Sequence, residues 1–292
     1  MTHPTNHTLA TLLVSCTDRT GLVAALSNFV FLHDGNIMDA DQHAEDADDG
    51  GQFFMRLVWD ISGFRMDRAG IAKALGDLAR QFELTWQLTY SDVRSKVVVF
   101  ASKTPHCLYD LLLRQQLSEL KGDIVAIVSN HRDLEGVAGH FGVPFHHLPI
   151  DADDKSGGEA AQERLLATFG ADLVVLARYM QILSPAFVSR WHGRIINIHH
   201  SFLPAFVGAK PYHQAKLRGV KIIGATAHYV TSELDQGPII EQDVTRVSHR
   251  DEVDDLVRKG RDLERQVLSR AVKAHLDRRV LISGNRTIVF ED

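Results

Sequence analysis

From residue 9 to residue 90 the apolar positions switch between two periods, and their order predicts strand, helix, strand, strand, helix, strand. The first strand, residues 9–15, ends at the turn-forming segment Asp18-Arg19-Thr20-Gly21. The helix after it sets Leu22, Leu26, Phe29 and Val30 on one face and stops at Gly35-Asn36. The acidic run Glu45-Asp46-Ala47-Asp48-Asp49-Gly50-Gly51 makes a hairpin loop before the strand 53–59. A second helix carries Ile71, Leu75, Leu78 and Phe82 at i, i+4, i+7 and i+11. In the last strand Leu84, Trp86, Leu88 and Tyr90 face one way, and Thr85, Gln87 and Thr89 the other. The plan is a split βαβ, or ferredoxin-like, βαββαβ arrangement.

Ser91-Asp92-Val93-Arg94-Ser95 reads as a short linker, which divides the chain into domains 1–92 and 93–292. Beyond it strands and helices alternate, with strands at 96–101, 123–129, 144–150 and 172–177 and helices at 108–120, 134–141 and 159–169. Unbroken apolar runs such as Val97-Val98-Val99-Phe100 and Leu173-Val174-Val175-Leu176 suit strands covered on both faces of a parallel sheet. The second domain is therefore expected to be α/β, with a doubly wound, mostly parallel sheet and its ligand at the carboxyl ends of the strands. A long amphipathic helix at 252–276 follows, with Val253, Leu256, Leu263, Val267, Leu268, Val272 and Leu276 on its apolar stripe. Two short strands, 279–282 and 287–290, close the chain around Ser283-Gly284-Asn285.

Composition narrows the function classes. The chain has 292 residues, 45% apolar and 24% charged, which is enough for two buried cores. A formal charge of −5 argues against nucleic acid or an anionic membrane as the main partner. Two distant cysteines, Cys16 and Cys107, exclude a disulfide scaffold and a thiolate zinc site. With no signal-like N-terminus and no membrane-length apolar run, the expectation is a cytoplasmic protein.

The densest polar cluster is Asn197-Ile198-His199-His200-Ser201-Phe202-Leu203-Pro204, emerging from the apolar strand Arg194-Ile195-Ile196. In extended backbone Asn197 and His199 point to the same side, so an amide and an imidazole both reach one carbonyl oxygen. By itself N-x-H also fits a turn cap beside a satisfied histidine. A second cluster, Thr231-Ser232-Glu233-Leu234-Asp235-Gln236-Gly237-Pro238, reads alone as a solvated turn. Sixteen histidines, including His146-His147 and His199-His200, raise a metal-dependent hydrolase as a rival. Adjacent histidines project to opposite sides of a strand, and no H-E-x-x-H or cysteine ligand set occurs, so no metal cofactor is expected.

Taken in order, Leu176-Ala177-Arg178-Tyr179-Met180-Gln181-Ile182-Leu183-Ser184, the Asn197–Pro204 cluster, Gly208-Ala209-Lys210-Pro211-Tyr212-His213-Gln214-Ala215, Gly224-Ala225-Thr226-Ala227-His228-Tyr229-Val230 and Leu234-Asp235-Gln236-Gly237-Pro238-Ile239-Ile240 resemble the folate-dependent formyltransferase family. The resemblance runs over most of residues 96–275. It implies a formyltransferase-like variant of the Rossmann sheet, with Asn197, His199 and Asp235 as catalytic residues. It also implies that a small-molecule folate substrate lies against Leu176, Arg178, Tyr179, Met180 and Ile182, with His228 nearby. Backbone groups of residues 178, 180 and 182 would meet the pterin edge; Met180 and Ile182 equally fit filling of the core beneath. In this chemistry Asn197 and His199 polarise the formyl oxygen, and Asp235 orients a water or hydrogen-bonds His199. The general base is left open.

Family members divide into those that pass the formyl group to glycinamide ribonucleotide and those that give it to water. Transferases end their first strand in a glycine-rich, phosphate-holding loop, whereas this chain has Phe100-Ala101-Ser102-Lys103-Thr104-Pro105-His106. Ser102, Lys103 and His106 remain candidate contacts for an anion such as formate or a folate carboxylate. His200 stands where transferases usually carry proline, and the Gly208–His213 run resembles the hydrolytic branch. Residues 9–90 resemble an ACT domain, a module that commonly binds amino acids, with Asp18, Arg19, Thr20, Gly21 and Leu22 as its effector loop. The free N–H groups of the helix opening at Gly21 suit a carboxylate. The expected activity is hydrolysis of 10-formyltetrahydrofolate to formate and tetrahydrofolate, which would supply formate for purine biosynthesis. It would be regulated by a small molecule such as glycine or methionine, in a homo-oligomer paired through the ACT domain. Formyl transfer to glycinamide ribonucleotide is the alternative, and an idle amino-acid sensor is a further one.

Overall fold

The computed structural model describes residues 7–45, 51–150, 155–204 and 211–291. Positions 46–50 of the acidic hairpin loop and the Gly208-Ala209-Lys210 part of the third motif lie outside the described residues. The chain forms two compact units. One comprises Met1–Arg94 with Arg278–Leu281 and Ile288–Asp292, the other Ser95–Asp277 with Ile282–Thr287.

In the first unit β1 (Leu9–Thr17), α1 (Leu22–Leu32), β2 (Asn36–Ala44), β3 (Gln52–Asp60), α2 (Arg68–Phe82) and β4 (Thr85–Tyr90) follow the predicted order. The antiparallel sheet runs β2-β3-β1-β4, as a ferredoxin-like unit requires. Alternate residues of β1 (Ala10, Leu12, Val14, Cys16) and β3 (Phe53, Met55, Leu57, Trp59) pack with Leu22, Leu26, Phe29 and Val30 of α1 and Ile71 and Leu75 of α2. The Asp67 side chain caps α2 by accepting the Gly70 N–H at 2.8 Å. The opposite sheet face is covered as well: Leu13 and Phe54 cluster with Phe290, Leu281 and Ile288 from the chain end. Arg56 Nε donates to the Arg278 carbonyl at 3.0 Å in the same region.

The second unit contains β5 (Ser95–Ala101), α3 (His106–Gln116), β6 (Gly122–Ser129), α4 (Glu135–His140), β7 (Phe145–His147), α5 (Lys155–Phe169), β8 (Leu173–Ala177), α6 (Pro185–Arg190), β9 (Ile195–His199), α7 (Pro211–Arg218), β10 (Ile222–Tyr229), β11 (Ile239–Arg246) and α8 (Val253–Leu276). The hairpin β12 (Val280–Ser283) and β13 (Arg286–Val289) follows. The seven-stranded sheet runs β11-β10-β9-β8-β5-β6-β7. Strands β5 to β9 are parallel, and β10 and β11 are antiparallel. The chain winds outward from β5 through β6 to β7, then returns to β8 on the other side, so the order reverses between β5 and β8. That is a doubly wound sheet.

Some elements differ from their predicted extents. β7 covers three residues rather than 144–150, because it is an edge strand paired only to β6 and Pro144 has no N–H to give. β11 escaped prediction because its edge position leaves Glu241, Asp243 and Thr245 among its residues, diluting the apolar signal. α6 has six residues and α7 eight, too short for a clear period. α8 begins with a capping box between Glu252 and Asp255 and packs against α3, β9, β10 and β11. Among the described residues no helix is long and apolar enough to cross a membrane.

Candidate active site

The carboxyl ends of β8 and β9 open onto a cleft of about 460 Å³, where the sheet topology predicts a ligand. Its walls are the segment after β8 (residues 178–183), Asn197 to His200, His228, and the turn 230–235 after β10. Asn197, His199 and Asp235 thus meet in one cleft, although Asp235 is distant from the others in sequence. Strand register achieves this. Asn197 lies opposite His228, and His199 opposite Thr226, across the antiparallel pair β9–β10.

His199 is buried, and its Nδ1 lies 3.2 Å from Asp235 Oδ2. Its other ring nitrogen, Nε2, is buried with no hydrogen-bond partner among the described residues. The hydrogen bond from His199 holds the Asp235 carboxyl well below the usual carboxylate range, against the opposing effect of burial. Asp235 is therefore an anion at neutral pH. His228 Nδ1 sits 2.9 Å from the carbonyl oxygen of Tyr229, which only accepts, so this nitrogen carries the proton. The remaining Nε2 then accepts from Asn197 Nδ2 at 3.2 Å. One Asn197 N–H is thereby engaged, and the other has no partner among the described residues. His228 Nε2 is 3.7 Å from Asp235 Oδ1, beyond hydrogen-bond length.

The turn that delivers Asp235 is tightly specified. Asp235 adopts a left-handed backbone, with φ of 57°. Tyr229 N–H donates to the Pro238 carbonyl at 2.9 Å, drawing the turn against the end of β10. A Cβ at Gly237 would lie 1.7 Å from the Tyr229 oxygen, so only glycine permits this approach.

The wall after β8 is braced from below. Ser102 is buried, donates through Oγ to Asn130 Oδ1 at 2.6 Å and accepts the Met180 N–H at 3.3 Å. The buried Tyr179 hydroxyl accepts from Gln162 at 2.9 Å, and burial pushes its pKa up to about 12. Met180 and Ile182 are each 60% exposed and line the cleft, so they face the cleft rather than the core beneath. Lys103 is exposed, and neither it nor Ser102 lines the cleft.

A second polar group joins His106 and Arg178, both candidates from the sequence, to Glu264, which the sequence does not single out. Glu264 of α8, 1% exposed, takes His106 Nε2 at 2.8 Å and Arg178 Nε at 3.4 Å on Oε2, and the Tyr212 hydroxyl at 2.8 Å on Oε1. Burial raises the pKa of this carboxyl, but the hydrogen bond from His106 and the Arg178 charge outweigh it and hold the group ionised. A Cβ at Gly260 would lie 1.9 Å from the Tyr212 hydroxyl, so that glycine makes room for the tyrosine. The signal was present in the sequence: Gly260 and Glu264 occupy the apolar stripe of α8, where leucine or valine is expected. Buried Cys107 brings Sγ within 4.8 Å of ligand atoms of His106 and Glu264. Burial raises its thiol pKa well above the ordinary value, which keeps it protonated, and the His106–Glu264 pair is closed by a direct hydrogen bond. His200 lines the cleft with its ring 6.0 Å from that of Tyr212; burial, then the Arg178 charge, lowers its pKa to about 4.

In the first unit Asp18, Arg19 and Thr20 are exposed and Leu22 is buried. Asp18 N–H donates to the Gly51 carbonyl at 2.6 Å, and Arg19 pairs with Glu83 at 2.8 Å. Gly21 opens α1 with a φ of 94°.

Residues 95–272 match the Formyl transferase family. The chain is 53% identical over 281 residues to the formyltetrahydrofolate deformylase of Synechocystis sp., covering 96% of this chain and 98% of that one. A crystal structure of a formyltetrahydrofolate deformylase from Pseudomonas syringae pv. tomato superposes with a TM-score of 0.95 at 48% identity, over 99% of this chain and 96% of that one. Glycinamide ribonucleotide transformylase 1 from Symbiobacterium toebii is 30% identical with a TM-score of 0.64, and covers 70% of this chain and 98% of its own. The similarity to the transformylase therefore stops short of the full chain, while the similarity to the deformylases does not.

Proposed function

The chain belongs to the formyltetrahydrofolate deformylases, hydrolases on the formyl transferase fold, and from that premise we propose how its residues divide the reaction. The enzyme hydrolyses 10-formyltetrahydrofolate to formate and tetrahydrofolate. The observation that carries the division of labour is the His199–Asp235 contact at 3.2 Å, with His199 Nε2 left unpartnered beside Asn197.

The folate lies with its pterin against Leu176 and the segment from Arg178 through Tyr179 and Met180 to Ile182. Its formyl group sits between Asn197 and His199. Asp235, ionised, accepts the Nδ1 proton of His199, which leaves the Nε2 lone pair as general base. Water attacks the formyl carbon and gives its proton to Nε2. The former carbonyl oxygen becomes an oxyanion held by the free Asn197 N–H and by the new imidazolium, whose charge Asp235 balances. His199 then protonates the folate nitrogen, the C–N bond breaks, and formic acid leaves and ionises to formate. His228 is a positioning residue that fixes the Asn197 amide. No metal takes part in this scheme.

For the first unit we infer that the turn Asp18 to Leu22 receives an amino-acid carboxylate at the N–H groups opening α1, and that the open edges of its sheet pair two copies into a homo-oligomer. Two buried free cysteines accord with work in the cytoplasm.

The test is a formate-release assay on the full chain with 10-formyltetrahydrofolate and no ribonucleotide. Formate and tetrahydrofolate are expected in equal amounts, unchanged by a chelator. Formyl transfer to glycinamide ribonucleotide at an equal or greater rate would overturn hydrolysis as the activity.

A further inference from the structure

Beside the catalytic cleft lies a second cavity of about 200 Å³, and Arg178 and His200 line both. It far exceeds the roughly 10–15 Å³ that one water needs. Its chemistry is basic. Arg178 and Arg261 bring two guanidinium groups, and His106, His200 and His213 three imidazoles, against the single carboxylate of Glu264. Both oxygens of that carboxylate are already engaged, by His106 and Arg178 on one side and Tyr212 on the other. Arg261 has no ion pair among the described residues. Glu264 only accepts, so His106 Nε2 carries a proton toward it; the second ring nitrogen, Nδ1, is buried with no hydrogen-bond partner among the described residues. Arg178 Nε is buried 3.4 Å from Glu264 Oε2, an ion pair rather than a hydrogen bond. Two guanidinium groups lining one cavity, one of them without an ion pair among the described residues, are the setting in which a small oxyanion binds.

We propose that this cavity receives a small oxyanion, and that its occupant is the formate released in the adjoining cleft. The choice of formate rests on the hydrolytic reading above; the oxyanion chemistry does not. The shared wall at Arg178 and His200 lets formate step away from Asn197 and His199 while tetrahydrofolate still occupies the larger cleft. The positive groups then hold the product clear of the reacting atoms.

The test is an NMR titration of the full chain, without folate, using carbon-13 formate, with inorganic phosphate as a second arm. Wild-type protein is expected to bind formate saturably. Arg261→Gln should weaken binding by about tenfold or more, as loss of a charge-assisted contact does, and Arg261→Lys should recover part of it. Asn197→Ala, in the other cavity, should change it less than twofold. Thermal melting checks that each variant is folded. Absence of saturable binding to the wild type overturns the proposal. So does formate binding that Asn197→Ala abolishes and Arg261→Gln leaves intact, because the anion then sits in the catalytic cleft. Phosphate binding more tightly than formate through Arg261 overturns formate as the occupant. Hydrolysis is assayed on the same samples: a protein that releases no formate defeats the functional reading, whereas active protein without Arg261-dependent binding defeats only this one.

Discussion

The turn that carries Asp235 and the turn that opens α1 both follow a strand and both contain a left-handed residue, yet their surroundings differ. In the first, Asp235 is hydrogen-bonded to a buried histidine, and Gly237 lies against the Tyr229 carbonyl with no room for a side chain. In the second, Asp18, Arg19 and Thr20 face solvent, and a Cβ at Gly21 would meet nothing within 4 Å. One turn is specified by tight space and a buried charge together, the other by its backbone angle and by the surface contacts of Asp18 with Gly51 and of Arg19 with Glu83. A site that stabilises a transition state benefits from groups fixed before the substrate arrives. A turn that answers to an effector needs only to be available.

The sharpest way to break this contrast is Asp235→Asn. An amide in place of the carboxylate removes the acceptor that orders His199, and kcat should fall by about 10³–10⁴-fold, the scale seen when a histidine loses its orienting carboxylate. Steady-state kinetics on folded protein checks it, and near-normal turnover would remove Asp235 from the mechanism. Gly237→Ala tests space rather than charge. Its methyl group forces the turn off β10 and displaces Asp235, so turnover should drop by about 10²-fold, the cost of roughly 1 Å of misplacement, together with a lower melting temperature.

His200 tests the partly buried character of the cleft wall. Burial lowers its pKa from 6.5 to about 4 in the folded chain, so between those values the unfolded chain binds the extra proton. Stability must therefore fall as pH falls through this window, by about 2 kcal/mol between pH 7 and pH 5. Urea unfolding at the two pH values measures it, and His200→Gln should flatten the slope. The smallest effect belongs to the open turn. Gly21→Ala has no clash to relieve and only a φ of 94° to oppose, a cost of about 1 kcal/mol in the same assay. A loss several times larger would show that the turn is packed after all.

Much of the fold was readable because apolar runs report burial directly. Val97 to Phe100 and Leu173 to Leu176 are fully buried strands, as their lack of alternation implied. Both ferredoxin-like helices keep their predicted inward faces. The grouping of Asn197 and His199 followed from a two-residue strand spacing. Their meeting with Asp235 depends on the β9–β10 register and on Gly237, and neither has a local signature. Ser102 illustrates the opposite difficulty: a loop serine beside Lys103 resembles an anion contact, but its hydroxyl is buried between Asn130 and Met180. Glu264 stayed hidden because a stripe of leucines and valines draws attention away from the charged residue within it.

The exposed side chains of the cleft have a thermodynamic consequence. Met180 and Ile182, each 60% exposed, and Leu234 at 59% hold apolar surface in water around the mouth of the site. A flat ligand that covers them releases the water ordered on that surface, so binding carries a negative heat-capacity change. The enthalpy of association then becomes more favourable as temperature rises, while the affinity itself varies far less.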